Sequence, residues 1–455
     1  MRKSALVRLL PIIAGSLACF DKSTARNDIE GRWEGTATAF GATAPLTIDF
    51  TRRGDSVSAT TSMTAEAMYV DRPLANVVIR PPGVHFEFPD RHGRPGVFDG
   101  TRRADTITGH IRKGRNTVSL RLLRTSRMVP QPPYNRERVR FKGADGLSME
   151  GTLFLPKRGG RHALVVFIHG SGPSTREDFN FLADRFARGG IAAFAYDKRG
   201  SDASSRASPA SNYATLARDA MAAIVTLRLR SDIDSRATGI LGSSEGGWVA
   251  PIVASQDSRV AFLIALVAPG DTYAENGIYQ NLQRLRAINA SQSDAAHYRR
   301  LISELNELAR IPDTALSSSA NRERAKALQL AIDSAQRFSW SDAVDLPKNI
   351  PTGEQRKRLR WQMVHFDPIP YWRQVRVPVM VVLGGSDQHV DSRRSKLLIA
   401  AALAGRRATF VEYPAAQHDL MIMPSPGEPF AFPHPPPGYP DTLVRWVSGT
   451  LAGLR

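Results

Sequence analysis

Short apolar segments alternate with amphipathic segments from about residue 137 onward, and this alternation constrains the fold more than any other feature of the sequence. Runs such as 164–168 and 377–383 are apolar almost throughout, which indicates strands buried on both faces. Amphipathic stretches such as 178–188 and 392–403 lie between such runs and predict helices. Strands of this kind joined by helices predict an α/β fold with a mostly parallel sheet covered on both faces. Further strands are predicted over 149–155, 191–196, 238–241, 260–267 and 409–413, and further helices over 213–230, from about 246, and over 442–451.

The alternation of strands and helices is interrupted between about residues 271 and 367. This stretch has helical periodicity, is rich in charge and lies between two predicted strands. An insertion of this size, at the edge of the sheet where the chain turns over a ligand crevice, is typical of a cap. We therefore predict a helical cap over about 271–367.

The N-terminal region, residues 29–127, has the period-two alternation of half-buried strands. Gly, Pro and Asp separate its segments about every ten residues, as in antiparallel sheets. This pattern predicts a small β domain, a barrel or a sandwich, whose first strand begins near 31–35 with Trp33 filling the core. We expect a structural or docking role for it, without chemistry. The Pro-rich piece 130–133 predicts a linker, and the α/β domain is expected over 128–455.

The chain has 455 residues, of which 42% are hydrophobic, and this length predicts two or three domains with a large core. Lys and Arg number 61 against 43 Asp and Glu, a net charge of +18, which raises the question of nucleic-acid binding. The basic residues are spread through the predicted elements, and the densest short run, from Arg356 to Arg360, falls on a predicted charged helix face. No nucleic-acid-binding motif accompanies them, so we expect a solvated Arg-rich surface and no nucleic-acid partner.

Residues 1–18 have the layout of a bacterial signal peptide, with a basic start, an apolar run over 9–18 and small residues at its end. The apolar run is shorter than the roughly 20 residues that a membrane-spanning helix needs, so we expect export to the periplasm. Cys19, the single cysteine, follows directly, and residues 16–19 resemble the lipidation motif of bacterial lipoproteins. A membrane anchor through lipid on Cys19 is therefore an alternative, and no internal disulfide is expected.

The segment Gly242-Ser243-Ser244-Glu245-Gly246 directly follows a predicted strand and directly precedes a predicted helix. In that context G-x-S-x-G is the nucleophile elbow, a turn too tight for side chains at either glycine position. The spacing selects Ser244 rather than Ser243 as the nucleophile. A serine hydroxyl needs a base to remove its proton, so an orienting acid and then a histidine should follow along the chain.

Asp387 and His418 each lie after a predicted strand, at the edge of the sheet where this architecture places its ligand crevice. We predict Asp387 as the acid and His418 as the base of a Ser-His-Asp triad. Asp391 is the alternative acid. His389 is too close to Asp387 along the chain to be oriented by it in the usual way, and His434 falls in a Pro-rich loop. The cluster of Asp387, His389 and Asp391 is not expected to bind a metal.

Acyl transfer places negative charge on the carbonyl oxygen, so two donors must already point at that oxygen. We predict the main-chain N–H of Glu245, directly after the nucleophile, and the main-chain N–H of Ser171 in the glycine-rich loop 169–173. The chain lacks the G-x-x-x-x-G-K-[ST] pattern that would favour a phosphate site in this loop. The Glu245 carboxylate either adjusts leaving-group preference or is a first-turn acid favoured by the helix dipole.

The motifs HGSGP at 169–173, YDKRG at 196–200 and GSSEGGW at 242–248 resemble those of bacterial α/β hydrolases of the serine-aminopeptidase-like and dienelactone-hydrolase-like groups. Some esterases of these groups carry a β-rich N-terminal domain. The resemblance implies the α/β-hydrolase fold, the triad and the oxyanion loop predicted above. It covers the chain from about Glu137 to the C-terminus, apart from the cap. Glu245 departs from the pattern, since the family often has Gln, Leu or Met there.

These residues predict an exported bacterial serine hydrolase that cleaves carboxylic esters through an acyl-serine intermediate and requires no metal or organic cofactor. Its partner would be a small-molecule ester, or a short peptide if the chain is instead an aminopeptidase. An aminopeptidase needs cap carboxylates to hold the substrate amine, and Glu275, Glu304 and Glu307 are available. A third hypothesis is a non-catalytic surface-binding protein that docks through its β domain. The sequence does not indicate an oligomeric state.

Overall fold

The computed structural model of the chain describes residues 28–39, 42–63, 68–89, 94–201, 212–351, 364, 366–424 and 433–453. The predicted signal peptide, Cys19 and the basic run at 356–360 lie outside the described residues. The chain divides into two compact units. The first contains most of the N-terminal strands and extends to Val129, and the second runs from Pro130 to the C-terminus and includes Thr36–Thr47 and Thr61–Arg72. None of the described helices is both long and apolar enough to cross a bilayer.

The described N-terminal residues form a nine-stranded antiparallel sheet. Its strands are β1 Gly31–Ala39, β2 Ala42–Arg53, β3 Ser56–Met63, β4 Tyr69–Pro73, β5 Ala75–Arg80, β6 Gly83–Phe88, β7 Gly96–Arg103, β8 Thr106–Lys113 and β9 Asn116–Ser126. Their order is β4-β3-β2-β1-β9-β8-β7-β6-β5. Consecutive strands are therefore neighbours except at β4 and β5, which lie at the two edges, and the first strand, β1, pairs with the last, β9. A single meander paired in this way has the strand order of an up-and-down barrel, one of the two predicted architectures.

The core of this sheet is aromatic. Trp33 is fully buried, as predicted, and packs edge-on against Phe50 with ring centroids 6.4 Å apart. Phe86 stacks on Phe98 at 4.4 Å. The indole N–H of Trp33 donates to the main-chain oxygen of Ile29 at 2.8 Å, so the buried donor is satisfied.

The second unit contains an eight-stranded mixed sheet with its parallel part as predicted. Its strands are β10 Tyr134–Lys142, β11 Ser148–Pro156, β12 His162–Ile168, β13 Ala192–Tyr196, β14 Ile233–Ser243, β15 Leu263–Leu266, β16 Val379–Gly384 and β17 Ala408–Tyr413. The order is β10-β11-β13-β12-β14-β15-β16-β17. Strands β10, β11 and β13 pair antiparallel, and from β13 to β17 every pair is parallel.

Helices cover both faces of the mixed sheet. The α-helices among the described residues are α1 Asn180–Arg188, α2 Tyr213–Arg228, α3 Gly246–Gln256, α4 Tyr273–Ala287, α5 Gln292–Arg310, α6 Asp313–Leu316, α7 Ser319–Ala335, α8 Ile369–Trp372, α9 Ser392–Ala402 and α10 Asp441–Ala452. Alternate residues of β12 are buried on opposite faces of the sheet. Leu164 and Val166 pack in the core under α2, α3 and α9, whereas Val165 and Phe167 pack in the core under α1 and α10. The helix predicted over 178–188 begins instead as a 3-10 turn, Arg176–Phe179, which leads into α1.

The predicted insertion lies between β15 and β16, two strands that pair directly in the sheet. Helices α4 to α7 occupy it, so its helical character is confirmed. The insertion has its own apolar core, in which Leu305, Ile332 and Trp340 are buried. Helix α5 begins with a capping box between Ser291 and Asp294, which explains why it begins there.

Candidate active site

Ser244 occupies the turn between β14 and α3, and its backbone φ is +52°, in the left-handed region that residues with side chains rarely adopt. Both flanking glycines are required by lack of space. A Cβ at Gly242 would lie 2.1 Å from the main-chain oxygen of Gly246, and a Cβ at Gly246 would lie 2.3 Å from that of Ile168. Close backbone contacts therefore hold the turn in a strained conformation that leaves the Ser244 hydroxyl projecting from it.

The three side chains predicted for the triad lie within hydrogen-bonding distance of one another. His418 Nε2 is 2.9 Å from Ser244 Oγ, and His418 Nδ1 is 2.8 Å from Asp387 Oδ2. They follow three different strands, β14, β16 and β17. The fold thus joins Ser244 to a base that lies 174 residues away along the chain. In this geometry the imidazole can accept the serine proton while the carboxylate holds its other nitrogen.

The orientation of Asp387 is set by contacts on every side. Its side chain is 0% exposed. The Oδ1 atom accepts the main-chain N–H groups of His389 at 2.7 Å and of Val390 at 2.9 Å, which leaves Oδ2 to face His418. The main-chain oxygen of Asp387 accepts a hydrogen bond of 2.8 Å from the Tyr279 hydroxyl on α4. A carboxylate held this way can fix both the tautomer and the orientation of the imidazole.

The two other candidate histidines have different surroundings. The His389 ring lies beside the His418 ring, with centroids 4.9 Å apart. Burial, and then the neighbouring His418, lower the pKa of His389 below its ordinary value, so its imidazole stays neutral to lower pH. His434 Nδ1 is 3.2 Å from the main-chain oxygen of Pro435.

The alternative acid, Asp391, serves as a helix cap. Its Oδ1 atom accepts the main-chain N–H of Arg394 at 3.0 Å, at the beginning of α9. The carboxylate that contacts His418 is that of Asp387, so the alternative assignment is not supported. Across the part of the chain that the structure describes, no three His, Cys, Asp or Glu side chains are grouped to hold a metal ion.

The glycine-rich loop after β12 closely approaches the nucleophile. A Cβ at Gly170 would lie 3.3 Å from the Cβ of Ser244, and Ser171 Oγ is 3.3 Å from Glu245 Oε2. Ser171 and Glu245, the residues predicted to supply the oxyanion donors, thus lie in contact with each other beside Ser244. All three residues line one cavity.

The structure contains a buried ion pair next to the nucleophile that was not predicted from the sequence. Lys198 Nζ lies 2.6 Å from Glu245 Oε1 and donates to the main-chain oxygen of Gly170 at 2.6 Å. The Glu245 side chain is 0% exposed and that of Lys198 is 7% exposed. Glu245 is therefore more than a first-turn acid that interacts with a helix dipole. The signal that could have identified Lys198 is its place in the YDKRG motif, because a lysine beside a buried strand end needs an acidic partner.

A cavity of about 1290 Å³ adjoins Ser244 and His418. Loops at the sheet edge form one wall, and the cap forms another through α4, α5 and the segment after α7. The cap wall presents mostly amide and apolar side chains, among them Asn276, Gln280, Leu305 and Leu346, together with the charged side chains of Asp345 and Lys348. A space of this size is large enough for a drug-sized organic molecule.

The three cap carboxylates that were candidates for binding a substrate amine lie away from the cavity. Glu275, Glu304 and Glu307 are not among the described residues that line the cavity. The Glu304 carboxylate instead pairs with Arg324 at 2.6 Å, and Glu307 pairs with Arg310 at 3.3 Å. These three side chains therefore do not provide the amine site of an aminopeptidase.

The family described as "Alpha/beta hydrolase family" has a profile that matches residues 165–431, more than half of the chain. The match spans the described elbow, the loops that carry Asp387 and His418, and the cap. No curated protein matches the sequence.

Several solved structures resemble the chain at low identity. A hypothetical protein from Pseudomonas aeruginosa is 16% identical over 70% of this chain and 95% of its own, with a TM-score of 0.44. An esterase from Pyrococcus furiosus is 13% identical over 70% of this chain and 92% of its own, with a TM-score of 0.41. A puromycin-hydrolyzing peptidase from Mycobacterium tuberculosis is 13% identical over 90% of this chain and 58% of its own, with a TM-score of 0.43.

Proposed function

Because this chain belongs to the alpha/beta hydrolase family, we propose that it is a serine hydrolase that cleaves carboxylic esters through an acyl-enzyme intermediate. One observation carries the proposal. Ser244 Oγ, the His418 imidazole and the Asp387 carboxylate form a continuous chain of contacts of 2.9 Å and 2.8 Å beside a cavity. These three side chains together provide an activated nucleophile, a base and an orienting acid.

In the first half of the reaction, His418 Nε2 takes the Ser244 proton as the serine oxygen attacks the ester carbonyl carbon. The carbonyl oxygen becomes an oxyanion, which the main-chain N–H groups of Ser171 and Glu245 stabilise. When the tetrahedral intermediate collapses, the bond to the leaving alkoxide breaks. His418 gives its proton to that oxygen, so the alcohol departs and the acyl group remains on Ser244.

In the second half, water replaces the alcohol. His418 removes a proton from water as the water oxygen attacks the acyl carbon, and the same N–H groups stabilise the second oxyanion. The bond to Ser244 Oγ breaks, and His418 returns the proton to the serine. The products are the carboxylic acid and the unchanged enzyme, so the cycle requires only the ester and water.

The choice of ester over peptide rests on the cap. An aminopeptidase holds the charged amine of its substrate with acidic side chains, whereas Glu304 and Glu307 are paired with arginines and do not line the cavity. The described cap wall that faces the cavity carries mostly amide and apolar side chains, and its carboxylate, that of Asp345, is paired with Arg284 at 2.8 Å. These surroundings suit an uncharged ester better than a free amine.

The experiment that tests the proposal is turnover of p-nitrophenyl esters and aminoacyl-p-nitroanilides by the purified mature protein, Ser244→Ala and Ser255→Ala. Ser255 lies on α3, and its hydroxyl bonds only locally, to the main-chain oxygen of Ile252. We expect ester cleavage by the wild type and Ser255→Ala but not by Ser244→Ala. Anilide cleavage without ester cleavage would make the chain a peptidase. If no turnover depends on Ser244, the non-catalytic binding hypothesis replaces this one.

We also propose that the mature protein acts outside the inner membrane of a bacterium, on the basis of the signal-peptide layout of residues 1–18. Two forms are open, a free periplasmic protein and a lipoprotein anchored through Cys19. Metabolic labelling with a clickable fatty acid separates them. Label on the wild type that is lost in Cys19→Ser establishes the anchor, and a shortened, unlabelled chain in the periplasmic fraction establishes the free form.

A further inference from the structure

The carboxylate of Glu245 lies in an unfavourable place for an oxyanion-stabilising enzyme. Its main-chain N–H is one of the two proposed donors, and its side chain is 0% exposed. A buried negative charge one residue from the nucleophile would repel the negative charge that develops on the carbonyl oxygen. In a site that excludes water, this repulsion is screened far less than in solution.

Lys198 is placed to cancel that charge. Its Nζ atom is 2.6 Å from Glu245 Oε1, a short charge-assisted contact, and the Lys198 side chain is itself 7% exposed. Because both groups are buried, they form a neutral pair that adds little net charge to the oxyanion region.

The same lysine also joins the two segments that carry the proposed donors. The Nζ atom of Lys198 donates to the main-chain oxygen of Gly170 at 2.6 Å. The main-chain N–H of Lys198 donates to the main-chain oxygen of Ser174 at 3.0 Å. The far oxygen of Glu245 accepts the Ser171 hydroxyl at 3.3 Å. The Lys198 ammonium thus connects the loop after β12, the loop after β13 and the nucleophile elbow at one point.

Other charged groups near this point have separate partners. The His418 imidazole contacts Ser244 and Asp387, and the Asp197 carboxylate is held by Arg176 at 2.7 Å. His169, at the start of the glycine-rich loop, faces the main-chain oxygen of Tyr196 at 2.5 Å.

We propose that Lys198 is a positioning residue for the hydrolysis, which neutralises the Glu245 carboxylate and holds the Gly170–Ser171 loop against the elbow so that both main-chain donors face one oxygen. This inference rests on the proposed function, because it concerns the same oxyanion. Lys198 is not among the described residues that line the cavity. It acts through Glu245 and Gly170.

Single and double substitutions at Lys198 and Glu245 separate the effect of charge from that of side-chain shape. Removing one partner of a buried ion pair leaves an uncompensated charge, whereas replacing both partners by neutral groups of similar size leaves none. Lys198→Met keeps the length of the side chain and removes its charge. Glu245→Gln keeps the shape of the partner and can still accept the Ser171 hydroxyl.

The test is steady-state kinetics of Lys198→Met, Glu245→Gln and the double variant on the best p-nitrophenyl ester. We expect Lys198→Met to lower kcat about tenfold to hundredfold, less than the loss of an oxyanion donor, with KM changed less than about threefold. Adding Glu245→Gln should recover most of that loss, and Lys198→Arg should retain more activity than Lys198→Met. Lys396→Met is the matched control, because Lys396 forms an exposed pair with Glu412 on α9 and β17.

A second readout uses an aryl boronic acid, which bonds to the serine oxygen and forms a tetrahedral anion in place of the oxyanion. Lys198→Met should weaken inhibition by the boronic acid by about the same factor as kcat, and weaken inhibition by a neutral amide analogue of the ester much less. A purely structural role for Lys198 would weaken both ligands alike. All variants are compared below the melting temperature of the least stable one.

Two results would overturn the inference while the proposed function stands. One is an unchanged kcat in Lys198→Met. The other is a double variant, folded by its melting curve, that is as inactive as Lys198→Met. If the wild type itself shows no Ser244-dependent ester cleavage, the proposed function is wrong, and the role inferred for Lys198, which rests on it, is wrong as well.

Discussion

The hydroxyl of Tyr279, on the first helix of the cap, donates a hydrogen bond of 2.8 Å to the main-chain oxygen of Asp387. Tyr279 is thus the point at which the insertion reaches the loop that carries the proposed acid. The same loop bonds the Asp387 carboxylate through the main-chain N–H groups of His389 and Val390. The cap therefore contributes to the position of the acid as well as to the wall of the cavity.

We expect Tyr279→Phe to lower kcat severalfold and to destabilise the fold by about 1 kcal/mol, the contribution of one hydrogen bond. The ring remains, so packing is preserved and only the bond to Asp387 is lost. Ester turnover and thermal melting measure the two effects. Tyr371→Phe is the control, because the Tyr371 ring packs on Phe366 away from the cavity and should leave turnover unchanged.

His418→Gln should lower kcat at least about a thousandfold, as expected for loss of the base in a serine triad. His389→Gln should retain most activity, although its ring lies 4.9 Å from that of His418, because its hydrogen bond to Asp387 comes from the main-chain N–H and it is His418 Nε2 that faces Ser244 Oγ. Comparing the two variants on one ester assigns the base. Equal losses in both would contradict the assignment.

Gly246→Ala should destabilise the chain by about 1–3 kcal/mol and abolish turnover, because the added Cβ would lie 2.3 Å from the main-chain oxygen of Ile168. The elbow would have to shift to relieve that contact. Gly449→Ala, in the exposed part of α10, meets no atom within 4 Å. It should stabilise the chain by about 0.5–1 kcal/mol. Chemical denaturation of both variants checks the opposite signs.

Arg199 forms a buried bidentate ion pair with Asp219, with contacts of 2.7 Å and 2.8 Å. Arg199→Met leaves the Asp219 carboxylate unpaired in the interior, so we expect a loss of about 3–5 kcal/mol in the free energy of unfolding. Arg324→Met breaks an exposed pair with Glu304 and should cost less than about 1 kcal/mol. Similar losses in both would show that burial does not decide the effect.

Asp145, in the turn between β10 and β11, supplies a pH-dependent part of the stability. Hydrogen bonds from Arg199 are the main cause that lowers the pKa of its carboxyl to about 2. Because the folded-state pKa is lower than the unfolded one, the stabilisation is complete above the ordinary pKa and is lost as pH falls towards about 2. The melting temperature of Asp145→Asn should therefore fall less than that of the wild type between pH 5 and pH 2. A parallel decline in both would contradict this contribution.

Local patterns were sufficient to predict the mostly parallel sheet, the elbow and the helical insertion. The Ser244 turn depends on glycines within two residues of it, and strands such as β12 are marked as buried by their own apolar residues. The positions of Asp387 and His418 at the edge of the sheet follow from local patterns in the same way, because each residue lies in the loop after its own strand.

The parts that could not be predicted depend on contacts distant in sequence. The Lys198 and Glu245 pair joins residues 47 apart, and neither motif alone indicates that both side chains are buried. Likewise, period-two alternation indicates strands but not their partners, so the β1–β9 pairing was open. Whether the cap carboxylates Glu275, Glu304 and Glu307 line the cavity could not be predicted either, because helical periodicity does not indicate which face of a helix meets the cavity.

The cap begins and ends at neighbouring positions of one sheet. Strands β15 and β16 are paired in register, Leu263 with Val379 and Leu266 with Val382, so the chain leaves the sheet and returns to it at adjacent strands. The insertion can therefore change in length without a change in strand order, provided that the hydrogen bond from Tyr279 to the loop of Asp387 is kept. The cap is thus a separable module, whose cavity wall can vary while the paired strands β15 and β16 stay in place.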